Sequence, residues 1–172
     1  MHRALAALGI DAILTTNYDR LFEAADPTRI AYTWQKAGPA LADLQEGRAV
    51  LFKIHGSAED DASVVMTRAE YDQAASNEAY RETMKFLLMG YTFLLVGYGI
   101  NDPLDLDVVF GLNKKAFGSA SRRHYALMPK SVSPNDRARW DREMNIQVIP
   151  YDDYGDLPAI LRALGKTPRN PP

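Results

Sequence analysis

The sequence predicts an α/β domain on a mostly parallel, doubly wound sheet of about five strands. Three observations carry that prediction. Five short apolar runs recur along the chain, amphipathic stretches with helix punctuation separate them, and the size suits one buried core. The runs are Ala12–Thr15, Ala49–Ile54, Tyr91–Val96, His124–Met128 and Ile146–Ile149. Each is apolar nearly throughout instead of strictly alternating, as strands covered on both faces tend to be. The 172 residues are enough to bury a core without disulfide or metal staples.

The elements follow in order. Residues 1–14 place Arg3 before small apolar residues, but Asp11 interrupts the run and no small-residue cleavage site follows. The stretch therefore reads as a helix leading into the first strand, not as a signal peptide. Arg20–Ala25 reads as a short helix. Asp26 to Gly47 is the least legible part, because Pro27, Gly38 and Pro39 break any period; one helix is expected at Leu41–Gln45, the rest covering a sheet edge. Thr67-Arg68-Ala69-Glu70 has the spacing of a capping box. Ser76 is expected to cap a second helix running through Leu88, with Tyr80, Met84, Leu87 and Leu88 on one face and Gly90 past its end. Ser133-Pro134 is an N-cap with proline at the first helical position, opening a helix toward Met144. A last helix covers Leu157–Leu164. Strand and helix alternate throughout, which makes the expected fold Rossmann-like. Residues 1–165 form the expected domain and 166–172, ending in Pro171 and Pro172, a disordered tail.

Composition removes several function classes. Twenty Lys and Arg against 22 Asp and Glu leave a net charge of -2, so the basic footprint of a nucleic-acid binder is absent. The chain has no cysteine, which excludes disulfides, thiolate zinc modules and cysteine nucleophiles. The longest uncharged stretch, Phe86 to Asn101, falls short of the roughly 20 apolar residues of a membrane span and is broken by Gly90, Gly97 and Gly99. The expectation is a cytoplasmic protein with no metal and no membrane contact.

In open α/β sheets, ligands bind beyond the carboxyl ends of the strands, so the residues following each run are the ones to read. Thr15-Thr16-Asn17-Tyr18-Asp19 follows the first run and His55-Gly56-Ser57 the second. Gly97-Tyr98-Gly99-Ile100-Asn101-Asp102-Pro103 follows the third. An Asn, a His and an Asp so placed can hold a ribose and take a proton from its hydroxyl. Glycines there let backbone N–H groups approach a phosphate or sugar. Plainer readings stand beside these. Asn17 and Asp19 could be turn and cap residues, His55 a strand-end histidine bonded to backbone, and Asp102-Pro103 a helix start. His2 and His124 receive no role, and Tyr71, Tyr80 and Phe86 read as core.

In combination, these segments resemble the sirtuin-like NAD-binding domain family, in its bacterial, defence-associated branch. Thr-Thr-Asn-Tyr-Asp at 15–19 is similar to the family's Thr-x-Asn-x-Asp motif, and Lys53-Ile54-His55-Gly56-Ser57 to its His-Gly strand end. The segment Leu95 to Pro103 is similar to that branch's Gly-Tyr-Ser-x-x-Asp-Pro, and Met66-Thr67-Arg68-Ala69-Glu70-Tyr71 to its Leu/Met-Thr-x-x-x-Tyr. Order and spacing agree from Ala12 to about Leu164. The resemblance implies NAD as substrate or ligand, hydrolysed to ADP-ribose and nicotinamide. It makes Asn17, orienting the ribose and a water, and His55, the base on a ribose hydroxyl, the catalytic candidates. Thr16, Asp19, Gly97, Tyr98, Gly99 and Asp102 become the NAD-binding candidates.

Three departures shape the expectation. Without cysteines, the zinc module of protein-deacylating sirtuins is missing, so deacylation is set aside. Gly99 stands where the family usually has Ser. Nothing before Ala12 resembles the family's opening Gly-Ala-Gly-x-Ser strand, which cradles the phosphates and lies mid-sheet between the strands ending at Asn17 and Gly97. The expectation is a sirtuin-like domain lacking its first, central strand, with a homo-oligomer or a partner chain completing the sheet. A non-catalytic module that senses NAD or ADP-ribose, or binds another protein, is the alternative.

Overall fold

The computed structural model of the chain describes residues 1–98 and 106–165. Its elements run α1 (His2–Ala6), β1 (Ala12–Thr15), α2 (Leu21–Ala25), β2 (Ile30–Thr33), α3 (Ala37–Gln45) and β3 (Val50–Lys53). Then come α4 (Arg68–Ser76), α5 (Glu78–Gly90), β4 (Leu94–Val96) and α6 (Leu106–Phe117). The described chain closes with β5 (His124–Pro129), α7 (Pro134–Met144), β6 (Ile146–Tyr151) and α8 (Leu157–Gly165). At least one helix separates each strand from the next, as parallel pairing requires. The α/β, Rossmann-like class stands. The strands form two three-stranded parallel sheets, ordered β1-β3-β2 and β4-β5-β6.

The chain divides into two compact units, Met1–Thr83 with Pro158–Pro172, and Met84–Leu157. In the first, β3 lies between β1 and β2 and is buried at all four positions, Val50, Leu51, Phe52 and Lys53. That is the continuous apolar strand of a covered parallel sheet, with one charge at its end. Arg29, itself buried, fastens the amino ends of β1 and β3. Its guanidinium donates to the carbonyls of Ile10, Asp11 and Val50 at 2.8, 3.0 and 3.1 Å and meets the Asp26 carboxylate at 3.3 Å. Hydrogen bonding from the Thr28 hydroxyl, with Arg29 nearby, holds the Asp26 carboxyl below its usual range.

Strand β2 is an addition to the five expected. It lies in the stretch that Pro27 and Gly38 make illegible, pairs with β3 from Ile30↔Val50 to Thr33↔Lys53, and is tied to α3 by Tyr32 donating to Asp43. The helix expected there is longer than Leu41–Gln45, beginning at Ala37. The Thr67–Glu70 capping box forms as the spacing predicts. The cap of α5 is corrected from Ser76 to Asn77, whose Oδ1 accepts the Tyr80 N–H at 2.9 Å; Ser76 is instead the last residue of α4. Gly90, expected just beyond α5, is its final residue.

In the second unit β5 is the inner strand and β4 and β6 the edges. Ser133 caps α7, Pro134 opens it, and Asn145 closes it in the left-handed conformation at φ 57°. Among the described residues, no helix is long and apolar enough to cross a membrane. Gly99, Asn101 and Asp102, and the expected tail 166–172, lie outside the described residues.

His124, at the start of β5, is 1 % exposed and packed edge-on against Phe93 and Phe110. Its Nδ1 accepts the Phe93 N–H at 3.1 Å, a bond only a neutral ring can accept this way. Burial, with the Arg122 charge nearby, lowers its pKa to about 4. Between that value and the unfolded value near 6.5, the unfolded chain binds a proton the folded chain refuses. Stability should therefore be complete above about pH 6.5 and fall by up to about 3 kcal/mol as pH drops toward 4. Urea unfolding across that range should show the slope in the native protein and lose most of it in His124→Asn, whose amide oxygen can still accept the Phe93 N–H.

Candidate functional site

Strands β1 and β3 are parallel neighbours in the register Thr15↔Lys53. Asn17 and His55 each follow two residues later, so both lie beyond the carboxyl end of the same sheet. The turn after β1 is built from its own polar groups. Thr15 Oγ1 accepts the Asn17 N–H at 3.1 Å, and Asp19 Oδ1 accepts the Leu21 N–H at 2.9 Å. Asp19 thus has the turn role read beside the functional one, while its second carboxylate oxygen is not used in that bond. Thr16 is half-buried and Asn17 exposed, so the amide is open to solvent.

His55 is buried, and its carbonyl accepts the Val65 N–H at 3.0 Å. Two tyrosine rings neighbour its imidazole. Tyr71, from the first full turn of α4, stands edge-on with centroids 5.2 Å apart. Tyr18, from the β1 turn, lies tilted at 6.5 Å, and its hydroxyl donates to the Val65 carbonyl at 2.7 Å. Tyr71 also packs on the cluster of Trp34, Val65 and Ala74, so the core role read from its helical spacing is correct but incomplete. The capping box at Thr67 sets where α4 starts, and through that sets where Tyr71 meets His55.

Gly56 turns the chain at φ +90°, and Ser63 fills the inside of the turn. Ser63 Oγ accepts the Ser57 N–H at 3.0 Å and donates to the Asp60 carbonyl at 2.7 Å. The Ser63 carbonyl accepts the Trp34 indole N–H at 2.7 Å. Its N–H donates to the Asp60 carbonyl at 2.8 Å, so every polar group of this buried serine is used.

Lys53, 1 % exposed, is the charge at the end of β3. Its ammonium donates to the carbonyls of Tyr18 (3.2 Å) and Asp19 (2.7 Å), to Ser57 Oγ (3.1 Å) and to Glu23 Oε1 (3.0 Å). Sequence reasoning assigned neither Lys53 nor Glu23 a role. The available signal was a lysine inside an otherwise apolar run, Ala49–Ile54.

In the second unit, Gly97 follows β4 with φ +66° and, among the described residues, nothing within 4 Å of where a Cβ would stand, and Tyr98 beside it is half-buried. Gly99 and Asp102 lie beyond the described residues. Among the described residues, no group of three His, Cys, Asp or Glu side chains could hold a metal ion.

Comparison with known proteins agrees with the family resemblance. The model of the SIR2-like domain family matches residues 11–149. The NAD(+) hydrolase ThsA of Enterococcus faecium is 28% identical over 96% of this chain and 40% of its own length. The proteins of that name from Bacillus cereus (28%, covering 95% of this chain and 38% of the relative) and Acinetobacter baumannii (31%, 96% and 38%) are similar too. The chain thus spans about two-fifths of the length of these relatives.

The two positive-φ glycines make a paired test. A Cβ at Gly56 would stand 2.1 Å from the Ser63 carbonyl oxygen, whereas one at Gly97 meets nothing within 4 Å among the described residues. Gly97→Ala should cost only the left-handed backbone term, about 1–2 kcal/mol. Gly56→Ala should cost at least about 3 kcal/mol, because the loop must also move off Ser63. Urea midpoints decide it, and equal losses would contradict the packed turn described here.

Proposed function

Because this chain belongs to the SIR2-like domain family, we propose that it is the part of an NAD+ hydrolase that holds the nicotinamide ribose and activates its attack by water. The observation that supports the reading most is the register of β1 and β3, which delivers Asn17 and His55 to one sheet end. The family match and the relatives named NAD(+) hydrolase supply the substrate. In this reading Asn17 orients the ribose and the attacking water, and His55 is the base on a ribose hydroxyl. Thr16 and Asp19 contact the nicotinamide side. On the motif alone, Gly97, Tyr98, Gly99 and Asp102 are further NAD contacts.

The chemistry asks little of the protein beyond placement. The bond between C1′ and the nicotinamide nitrogen breaks with its electron pair passing to the ring, which leaves neutral and needs no acid. The sugar develops oxocarbenium character, as in other glycoside hydrolyses. A water oxygen bonds to C1′ and its proton passes to solvent, so NAD+ and water give ADP-ribose, nicotinamide and a proton. Withdrawing a proton from a ribose hydroxyl places electron density beside the cationic carbon, which is the help His55 can give. Holding ribose and water together supplies the rest.

The phosphate cradle and the sheet edges belong to the same proposal. Among the described residues β1 pairs only with β3 and β4 only with β5, so each has an edge where a further strand can add. Leu94 on β4 is partly exposed. A Gly-Ala-Gly-x-Ser strand, from an upstream segment or another chain, is proposed to pair there and bring the donors for the pyrophosphate. A cytoplasmic, defence-type setting goes with this reading.

In a protein that carries such a strand, His55→Ala and Asn17→Ala should each lower nicotinamide release by about 100-fold or more at unchanged folding. Near-full activity in either folded variant overturns its assigned role. Gly99→Ser should leave NAD affinity equal or tighter in a titration, since it adds the hydroxyl the family motif carries.

A further inference from the structure

We infer that Lys53 is a positioning residue for this site: its buried ammonium ties the Asn17 turn to the His55 strand. The inference rests on the proposed NAD+ hydrolysis for its activity readout, but its structural content stands apart from it. Four acceptors from three segments meet at one nitrogen, namely the Tyr18 and Asp19 carbonyls, Ser57 Oγ and Glu23 Oε1. An ammonium has three donors, so the four contacts share them.

Three of the four partners lie within two residues of Asn17 or His55. Tyr18 and Asp19 immediately follow Asn17, and Ser57 is two residues beyond His55. The Tyr18 carbonyl additionally accepts the Ala58 N–H at 3.0 Å, so the two loops also meet directly. Arg20 and Glu59 pair farther out at 2.8 Å, but both are more than half exposed, where an ion pair holds little. Lys53 joins the turn, the loop and α2 at a single buried point. Among the described residues its charge is matched by the Glu23 carboxylate, whose Oε2 is buried and has no hydrogen-bond partner there.

An apolar residue at position 53 would serve the sheet equally well, because the other three positions of β3 are Val50, Leu51 and Phe52, all buried. The buried charge is explained by what it grips. Losing the grip removes the ammonium from the Asp19 carbonyl and leaves the Tyr18 carbonyl to the Ala58 N–H, and displacement of a positioned group by around 1 Å is enough for large rate losses.

The test uses Lys53→Met, similar in length but without charge or donors, and Glu23→Gln, a milder change that can keep an oxygen on the ammonium. Hydrogen exchange is read at the amides the two loops hold, Asn17, Leu21 and Ala58, with the β3 amides as the internal standard. Exchange at those three should rise about tenfold or more in Lys53→Met and less in Glu23→Gln, with β3 unchanged. Nicotinamide release, in a protein carrying the upstream strand, should fall about tenfold or more in Lys53→Met. In an Asn17→Ala background the same change should cost almost nothing further, because it acts through Asn17. Unchanged exchange at the three amides in a folded variant overturns the inference, as do losses that multiply with Asn17→Ala. Should Lys53→Met fail to fold, Glu23→Gln decides by the same two readouts. If the parent protein releases no nicotinamide, the function proposal fails while the exchange data still decide the grip.

Discussion

The parallel pairing of β1 with β3 is the constraint on which the candidate site depends. A parallel ladder has a single carboxyl end, so residues following two neighbouring strands emerge side by side. The register Thr15↔Lys53 then leaves no freedom in where Asn17 and His55 begin. Slipping the pairing by one residue would turn every β3 side chain to its opposite face and carry Lys53 away from the carbonyls it holds. Site and sheet are specified by the same apolar residues.

Beyond the strand ends the chain must satisfy polar groups without a ladder, and it does so with a few buried side chains. Arg29 closes the amino end of the sheet on three carbonyls, and Lys53 closes the carboxyl end on two more. Ser63 does the same for the loop behind His55. Buried charges of this kind contribute little net stability, because desolvation offsets much of the attraction. Their effect is geometric: they allow one arrangement of the turns and penalise others. His124 shows the opposite solution in the second unit, where burial keeps an imidazole neutral and uses it as a backbone acceptor.

Much of this was legible in the sequence. The five apolar runs mark five of the six strands, and the capping signals at Thr67 and Ser133 are used as read. Strand β2, Ile-Ala-Tyr-Thr, is itself mostly apolar, but it stands between Pro27 and Gly38, which break any period around it; pairing with β3 makes it a strand. Two adjacent cap-type residues, Ser76 and Asn77, could not be separated by composition, and geometry selects the second. Apolar runs do not encode pairing either, so the division into two sheets had to be seen. At the site, the motif residues were legible one by one, yet the contacts among them were not. Tyr71 shows why: its helical spacing gives it to the core, while its ring contact with His55 spans 16 positions of sequence. Lys53 meets acceptors 34 and 35 residues earlier in the chain, which no local pattern announces.

The proposal that these strand ends take part in NAD hydrolysis once a phosphate-cradling strand is added is tested most directly by nicotinamide release. NAD is incubated with the 172-residue chain alone and with the same chain carrying a Gly-Ala-Gly-x-Ser strand ahead of residue 1, and the products are followed by proton NMR. The account predicts steady formation of nicotinamide and ADP-ribose by the extended protein and little by the chain alone. Equal turnover by both would show that the added strand is dispensable, and no turnover by a folded, extended protein would contradict the hydrolase reading itself.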